Sequence, residues 1–206
     1  LEKEPGDCKT QPYRSIPPKT ITGPTQPISP TRLCYIIYTS GTSGTPKGVM
    51  ISHQALTNYI AWAVQRYVKA EVLGFPLYTS ISFDLTVTSI FVPLISGNTV
   101  IVYGEAEKSL AIEKIIEENK VGVVKLTPSH LKIVKEKLEG QKRSSIKCII
   151  LGGEELETDL AAAIHKKFNG KIEIYNEYGP TEAAVGCMIY EFDVQKDRGK
   201  TVSIGK

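Results

Sequence analysis

The stretch that decides the fold is Tyr38-Thr39-Ser40-Gly41-Thr42-Ser43-Gly44-Thr45-Pro46-Lys47-Gly48-Val49. It grows out of Leu33-Cys34-Tyr35-Ile36-Ile37-Tyr38, a short apolar run with aromatic and β-branched content that reads as a buried strand. Its glycines let the backbone approach a ligand closely and adopt positive φ. Hydroxyls at Thr39, Ser40, Thr42, Ser43 and Thr45, backbone N–H groups and the Lys47 ammonium can surround the oxygens of a phosphate. It is not a Walker loop: Pro46 precedes Lys47 and Gly48 follows it, so G-x-x-x-x-G-K-[ST] is absent. By itself the stretch also fits a Gly/Ser/Thr surface loop, and the surrounding chain has to decide.

Downstream, strand-like and helix-like runs alternate. Ser52 can cap a helix with Leu56, Tyr59, Ile60, Ala63, Val64 and Tyr67 on one face. Strands are expected at 99–103, 121–126, 146–151 and 171–175. Helices carrying Ile112, Ile115 and Ile116, then Leu131, Val134 and Leu138, then Leu160, Ile164 and Phe168 separate them. Thr127-Pro128 and Thr158 are the expected helix starts. Continuous apolar strands spaced by amphipathic helices predict an α/β fold, a parallel sheet flanked by helices on both faces. Such sheets bind ligands beyond the carboxyl ends of their strands, which points to 125–127, 152–154 and 176–182.

Upstream, residues 1–31 hold seven of the twelve prolines and read as an extended, linker-like segment. The 206 residues carry 41% hydrophobic and 23% charged side chains, which excludes a disordered, collagen-like or membrane-spanning chain. A formal charge of +3, from 25 Lys+Arg against 22 Asp+Glu, is too mild to argue for nucleic acid or an anionic membrane. Cys8, Cys34, Cys148 and Cys187 form no C-x-x-C pair, and His53, His130 and His165 have no metal-ligand spacing. Reduced thiols and the absence of a signal peptide suggest a cytoplasmic protein.

The glycine-rich stretch resembles the signature loop of the adenylate-forming, AMP-binding enzyme superfamily: acyl-CoA synthetases, luciferases and nonribosomal peptide synthetase adenylation domains. Asn176-Glu177-Tyr178-Gly179-Pro180-Thr181-Glu182 is similar to that family's Y-G-x-T-E motif, and Leu151-Gly152-Gly153-Glu154 to its short glycine motif. Ser82-Phe83-Asp84 resembles the motif of the amino-acid-activating branch. The resemblance implies a partial N-terminal domain of the adenylate-forming fold over residues 32–206. The phosphate loop would occupy 38–49 and a flavodoxin-like substrate and adenine subdomain about 80–182. It also implies ATP and Mg²⁺ as cofactors. The reaction would join a carboxylate to AMP with release of pyrophosphate, then pass the acyl group to a carrier-protein phosphopantetheine thiol. Thr39, Ser40, Gly41, Thr42, Ser43, Gly44, Thr45 and Lys47 would wrap the β- and γ-phosphates. Asn176 would meet the adenine amino group, Tyr178 would stack on the ring near Gly153, Thr181 would bond the α-phosphate and Glu182 would hold Mg²⁺. Lys47, Thr181 and Glu182 would be the catalytic residues.

The same resemblance puts Asp84 against a substrate α-ammonium, although Asp84 also suits a helix N-cap. It lines the side-chain pocket with Leu85, Thr88, Lys125, Ile150, Gly152, Glu177, Val185 and Gly186. One donor (Lys125) and one acceptor (Glu177) in an otherwise apolar pocket suit a carboxamide. A second carboxylate would be repelled by Glu177. The set Asp-Leu-Thr-Lys-Ile-Gly-Glu-Val-Gly is similar to the family's pattern for asparagine, whose aspartate-selecting relatives carry histidine at the Glu177 position.

By that resemblance a complete domain continues well past Ile204-Gly205-Lys206, to a ribose-binding aspartate, a hinge and a catalytic lysine. The chain is therefore expected to be an excerpt that needs the remainder of its domain and is inactive alone. An acyl- or aryl-acid ligase of the same superfamily is the alternative enzyme reading, and Asp84 argues against it. A non-catalytic nucleotide- or partner-binding fragment is the third.

Overall fold

The computed structural model of the chain describes residues 26–41, 44–69, 73–104, 111–137 and 144–205. Most of the proline-rich segment, Thr42, Ser43 and Leu138 lie outside the described residues.

Strand β1 (Leu33–Thr39) pairs antiparallel with β2 (Lys47–Ser52), so the glycine-rich stretch is the tip of a hairpin and Lys47 opens its second strand. This corrects the expectation of a buried strand, since most of β1 is exposed or only partly buried. A two-stranded ribbon has only one face to bury: Ile37, Val49 and Ile51 point inward, while Ile36, Tyr38 and Met50 are exposed. Helix α1 (His53–Tyr67) follows at once, and the Ser52 hydroxyl accepts from the Ala55 N–H at 3.3 Å, as a cap does.

Strand β3 (Gly74–Leu77), helix α2 (Leu85–Ser96) and strand β4 (Thr99–Val102) form a parallel β-α-β unit. Gly97 ends α2 with φ 72°, the left-handed turn glycine supplies without strain. The remaining chain runs α3 (Ala111–Glu118), β5 (Val123–Leu126), α4 (Pro128–Lys137), β6 (Cys148–Leu151), α5 (Thr158–Lys167), β7 (Glu173–Tyr178) and β8 (Met188–Glu191). Strands β5, β6 and β7 are parallel, and β8 closes the edge antiparallel to β7. A hydrogen bond from Gly122 N to Gly74 O, 2.9 Å, ties the β3–β4 pair to the larger sheet.

Two expectations move. Glu157, not Thr158, occupies the cap position of α5, and the Thr158 hydroxyl is buried with no partner among the described residues. The last parallel strand runs on to Tyr178, because β8 pairs with it along Tyr175–Tyr178. Asn176, Glu177 and Tyr178 therefore project from a strand, with alternate directions.

That alternation places the site. Val124, Leu126, Ile149, Leu151 and Ile174 pack under α3, α4 and α5 in one core. Val123, Cys148, Ile150 and Tyr175 pack under α1 and α2 in the other. Side chains two apart on a strand share a face, so Lys125 follows Val123, and Glu177 follows Tyr175, onto the α1–α2 side. Among the described residues no helix is long and apolar enough to cross a membrane.

Candidate active site

Lys125 and Glu177 are both 4% exposed, charged groups inside an apolar core. Isolated charges there would be costly, and each is compensated by the other: Lys125 Nζ lies 2.6 Å from Glu177 Oε2. Two hydroxyls complete the group. Lys125 donates to Thr88 Oγ1 at 2.9 Å and to Tyr59 Oη at 3.3 Å. Tyr59 donates to Glu177 Oε1 at 2.8 Å and lies 2.6 Å from Thr88 Oγ1. Burial, then the charge of Glu177, push the Tyr59 phenol well above its ordinary pKa, so it remains a donor. Tyr78 donates to the Lys125 carbonyl at 3.0 Å and fixes the end of β5.

Gly186 is part of this arrangement by what it lacks. A Cβ there would lie 2.2 Å from Glu177 Oε1, so any side chain would collide with the carboxylate. The neighbouring Val185 holds φ 81° and Ala184 φ 55°. Positive φ at a β-branched residue is a strained conformation, and here it bends the wall around Glu177. Gly152 lies close to β7, where a Cβ would meet Glu177 O at 2.9 Å. Ile150 is fully buried on the same face as Lys125.

Asp84 stands at the N-cap position of α2 but makes no capping bond. Its carboxylate instead accepts from Thr181 Oγ1 at 2.8 Å. Thr88, four residues on, lies one turn into α2, where its hydroxyl meets Lys125 and Tyr59. Asp84 and Leu85 also line an open cleft of about 760 Å³ with Phe83, Thr127, His130 and Gly153. The expected pocket residues thus fall into two groups, Asp84 and Leu85 at the open cleft and the buried charged pair, which does not line it. Gly153, with φ 82°, has only Thr127 Cγ2 near a notional Cβ, at 4.0 Å, which leaves room for a flat ligand.

The motif residues divide by strand direction. Asn176 turns to the opposite face from Glu177 and donates its amide to Val202 O and Ser203 O, both at 3.0 Å. Tyr178, at the end of β7, is half exposed. Thr181 and Glu182 stand on a short 3-10 turn against which β2 packs, so the hairpin carrying Lys47 adjoins them. At the hairpin tip, Gly44 N donates to Gly41 O at 2.9 Å, and a Cβ on Gly41 would meet Thr45 O and the Lys47 stem. Glu154, from the short glycine motif, accepts from the N–H and hydroxyl of Ser129 at 2.9 and 2.6 Å. It caps α4, and those bonds hold its carboxyl below the usual range.

Sequence reasoning missed Tyr59. Its place in the apolar stripe of α1 was legible; nothing in the local pattern shows that the hydroxyl reaches β7, 118 residues away.

The AMP-binding enzyme family matches residues 2–206. Tyrocidine synthase 3 of Brevibacillus parabrevis is 57% identical over 176 residues, covering 85% of this chain and 3% of that protein. Bacitracin synthase 3 of Bacillus licheniformis is 58% identical over 175 residues, covering 84% and 3%. The chain therefore spans only a small part of the curated relatives it matches. A crystal structure of a Vibrio cholerae adenylation domain in complex with glycyl-adenosine-5'-phosphate superposes with a TM-score of 0.77 at 26% identity, covering 86% of this chain and 33% of that one.

Proposed function

The chain belongs to the AMP-binding enzyme family, in the branch of nonribosomal peptide synthetase adenylation domains, and from that premise we propose that it forms the amino-acid-selecting core of an ATP-dependent ligase whose substrate is L-asparagine. The observation that carries the choice of substrate is the buried Lys125–Glu177 pair. A carboxamide offers a carbonyl to the ammonium and an N–H to the carboxylate. An aspartate side chain would set two carboxylates against each other in a buried site, and an apolar side chain would leave both charges without a ligand partner.

Asp84 receives the α-ammonium: its carboxylate caps nothing, and Thr88 on the same helix face touches Lys125. The 38–49 hairpin tip serves the β- and γ-phosphates of ATP, with Lys47 as the cation. Thr181 exchanges its bond to Asp84 for one to the α-phosphate. Asn176 keeps its amide N–H groups on Val202 and Ser203, which turns its carbonyl oxygen to the adenine amino group. The exposed Glu182 suits Mg²⁺, a hard cation commonly held by one or two carboxylates together with substrate phosphates. When bound, that ion neutralises charge on the phosphates; this chain's residues position and orient. In this reading residues 32–206 are the AMP-binding core, with 80–182 its flavodoxin-like part, and the acyl group passes to a carrier-protein phosphopantetheine thiol.

Replacing Glu177→His in the complete adenylation domain tests the assignment. Pyrophosphate exchange should shift from asparagine toward aspartate, because the repelling carboxylate is gone. Unchanged preference would contradict the placement of Glu177 at the substrate side chain.

A further inference from the structure

The buried network allows its protons to be assigned. Glu177 Oε1 lies 2.8 Å from Tyr59 Oη, and a carboxylate oxygen has no proton to give, so the phenol proton points to Oε1. The 2.6 Å contact between Tyr59 and Thr88 must then carry the Thr88 proton, donated to Tyr59 Oη. Lys125 has three N–H groups and uses two, on Thr88 and Tyr59. Glu177 Oε2 is 2.6 Å from the ammonium as an ion pair, and it accepts no hydrogen bond among the described residues. What is left is one donor on Lys125 and one acceptor on Glu177, side by side. Those are the two functions that the C=O and N–H of a single carboxamide require.

We propose that Tyr59 is a specificity-positioning residue: its hydroxyl, holding Glu177 Oε1 and accepting from Lys125, orients the pair so that Oε2 and one ammonium N–H face the substrate side-chain amide together. This rests on the pocket reading above and extends it to a residue on a different element. Without the phenol, Glu177 Oε1 loses its anchor and either oxygen can turn to Lys125, so Oε2 is no longer held against the substrate side chain. The penalty against aspartate is thereby reduced. The ring of Tyr59 packs beside Trp62, with centroids 6.0 Å apart, and a phenylalanine preserves that contact.

The test is Tyr59→Phe in the complete adenylation domain, with asparagine- and aspartate-dependent pyrophosphate exchange measured at saturating ATP. The expected result is a raised KM for asparagine and an unchanged KM for ATP. The asparagine-over-aspartate preference should fall by roughly tenfold or more, the size of one lost hydrogen bond to a charged group. A parallel loss toward both amino acids with the preference intact would show a purely structural role and overturn the proposal. The unaltered domain separates the two levels: if it does not prefer asparagine, the pocket reading itself fails. If it prefers asparagine and Tyr59→Phe keeps the full preference, only the role of Tyr59 fails. Should the variant not fold, β-cyano-L-alanine tests the same arrangement on the unaltered protein. It is smaller than asparagine and accepts from Lys125 but has no N–H for Oε2. It should be activated at least about tenfold less well than asparagine, and equal activation would overturn the proposal.

Discussion

Lys47 is exposed, opens β2 and stands opposite Thr39 across the hairpin tip. An exposed side chain at the end of a hairpin adds little to the core, so the fold does not depend on its charge. Changing Lys47→Ala should weaken ATP use while altering thermal stability by no more than about 0.5 kcal/mol, the usual effect at a surface position. A large stability loss with unchanged KM for ATP would make Lys47 structural. Gly186 is the opposite case. Its missing Cβ is the space in which Glu177 Oε1 sits, and Glu177 cannot retreat because Tyr59 and Lys125 hold it. Gly186→Ala should cost about 1–3 kcal/mol by overpacking and raise the amino-acid KM, with the KM for ATP little changed. Thermal melts and exchange kinetics check both parts; a neutral Gly186→Ala would mean that the carboxylate is free to move.

At the scale of elements, the sheet's alternation does the sorting. Strands β5 and β6 were readable because buried parallel strands are continuous apolar runs, with Lys125 the one charge inside β5; β7, which carries Glu173, Asn176 and Glu177, was readable only as far as Tyr175. Helix α2 was readable only at its start, where Asp84 suits an N-cap. Its Thr86, Val87, Thr88, Ile90, Val92 and Ile95 are β-branched and Pro93 lies inside it, all features that local propensity counts against a helix. Packing against β3 and α1 overrides that preference. Strand β2 was hidden for another reason: the glycine-rich motif was read through to Val49, although the strand begins at Lys47. The site was legible as a set of motif positions. Its buried connections, above all Tyr59 on α1, were not, since a hydroxyl on an apolar helix face has no local signature. Helix α4 gives a pH test. His130, in its first turn, is half buried against Tyr78, and burial lowers its pKa despite the opposing charge of Glu154. The folded state thus favours the neutral ring. Its contribution to stability is full above pH 6.5 and is lost as pH falls through the lowered folded value. An imidazole titration followed by NMR should have its midpoint below 6.5; a midpoint at or above that value would contradict the burial.

At the scale of the molecule, two cores on opposite faces of one sheet place the glycine-rich hairpin beside the Thr181–Ala183 turn and bury the charged pair beneath α2. The chain spans 33% of the Vibrio cholerae adenylation domain with which it superposes. Electrostatic groups in such sites are commonly worth about 10²–10³ in rate each. Residues 1–206 alone should therefore fall far short of a complete domain in amino-acid-dependent ATP–pyrophosphate exchange, and exchange near the complete rate would contradict this. The most direct measurement of what the Lys125–Glu177 pair selects is that same exchange, run on the complete adenylation domain across the twenty amino acids. L-asparagine should be the best substrate, with aspartate and glutamine poor; an apolar or aromatic amino acid as the best substrate would contradict the assignment of the pocket.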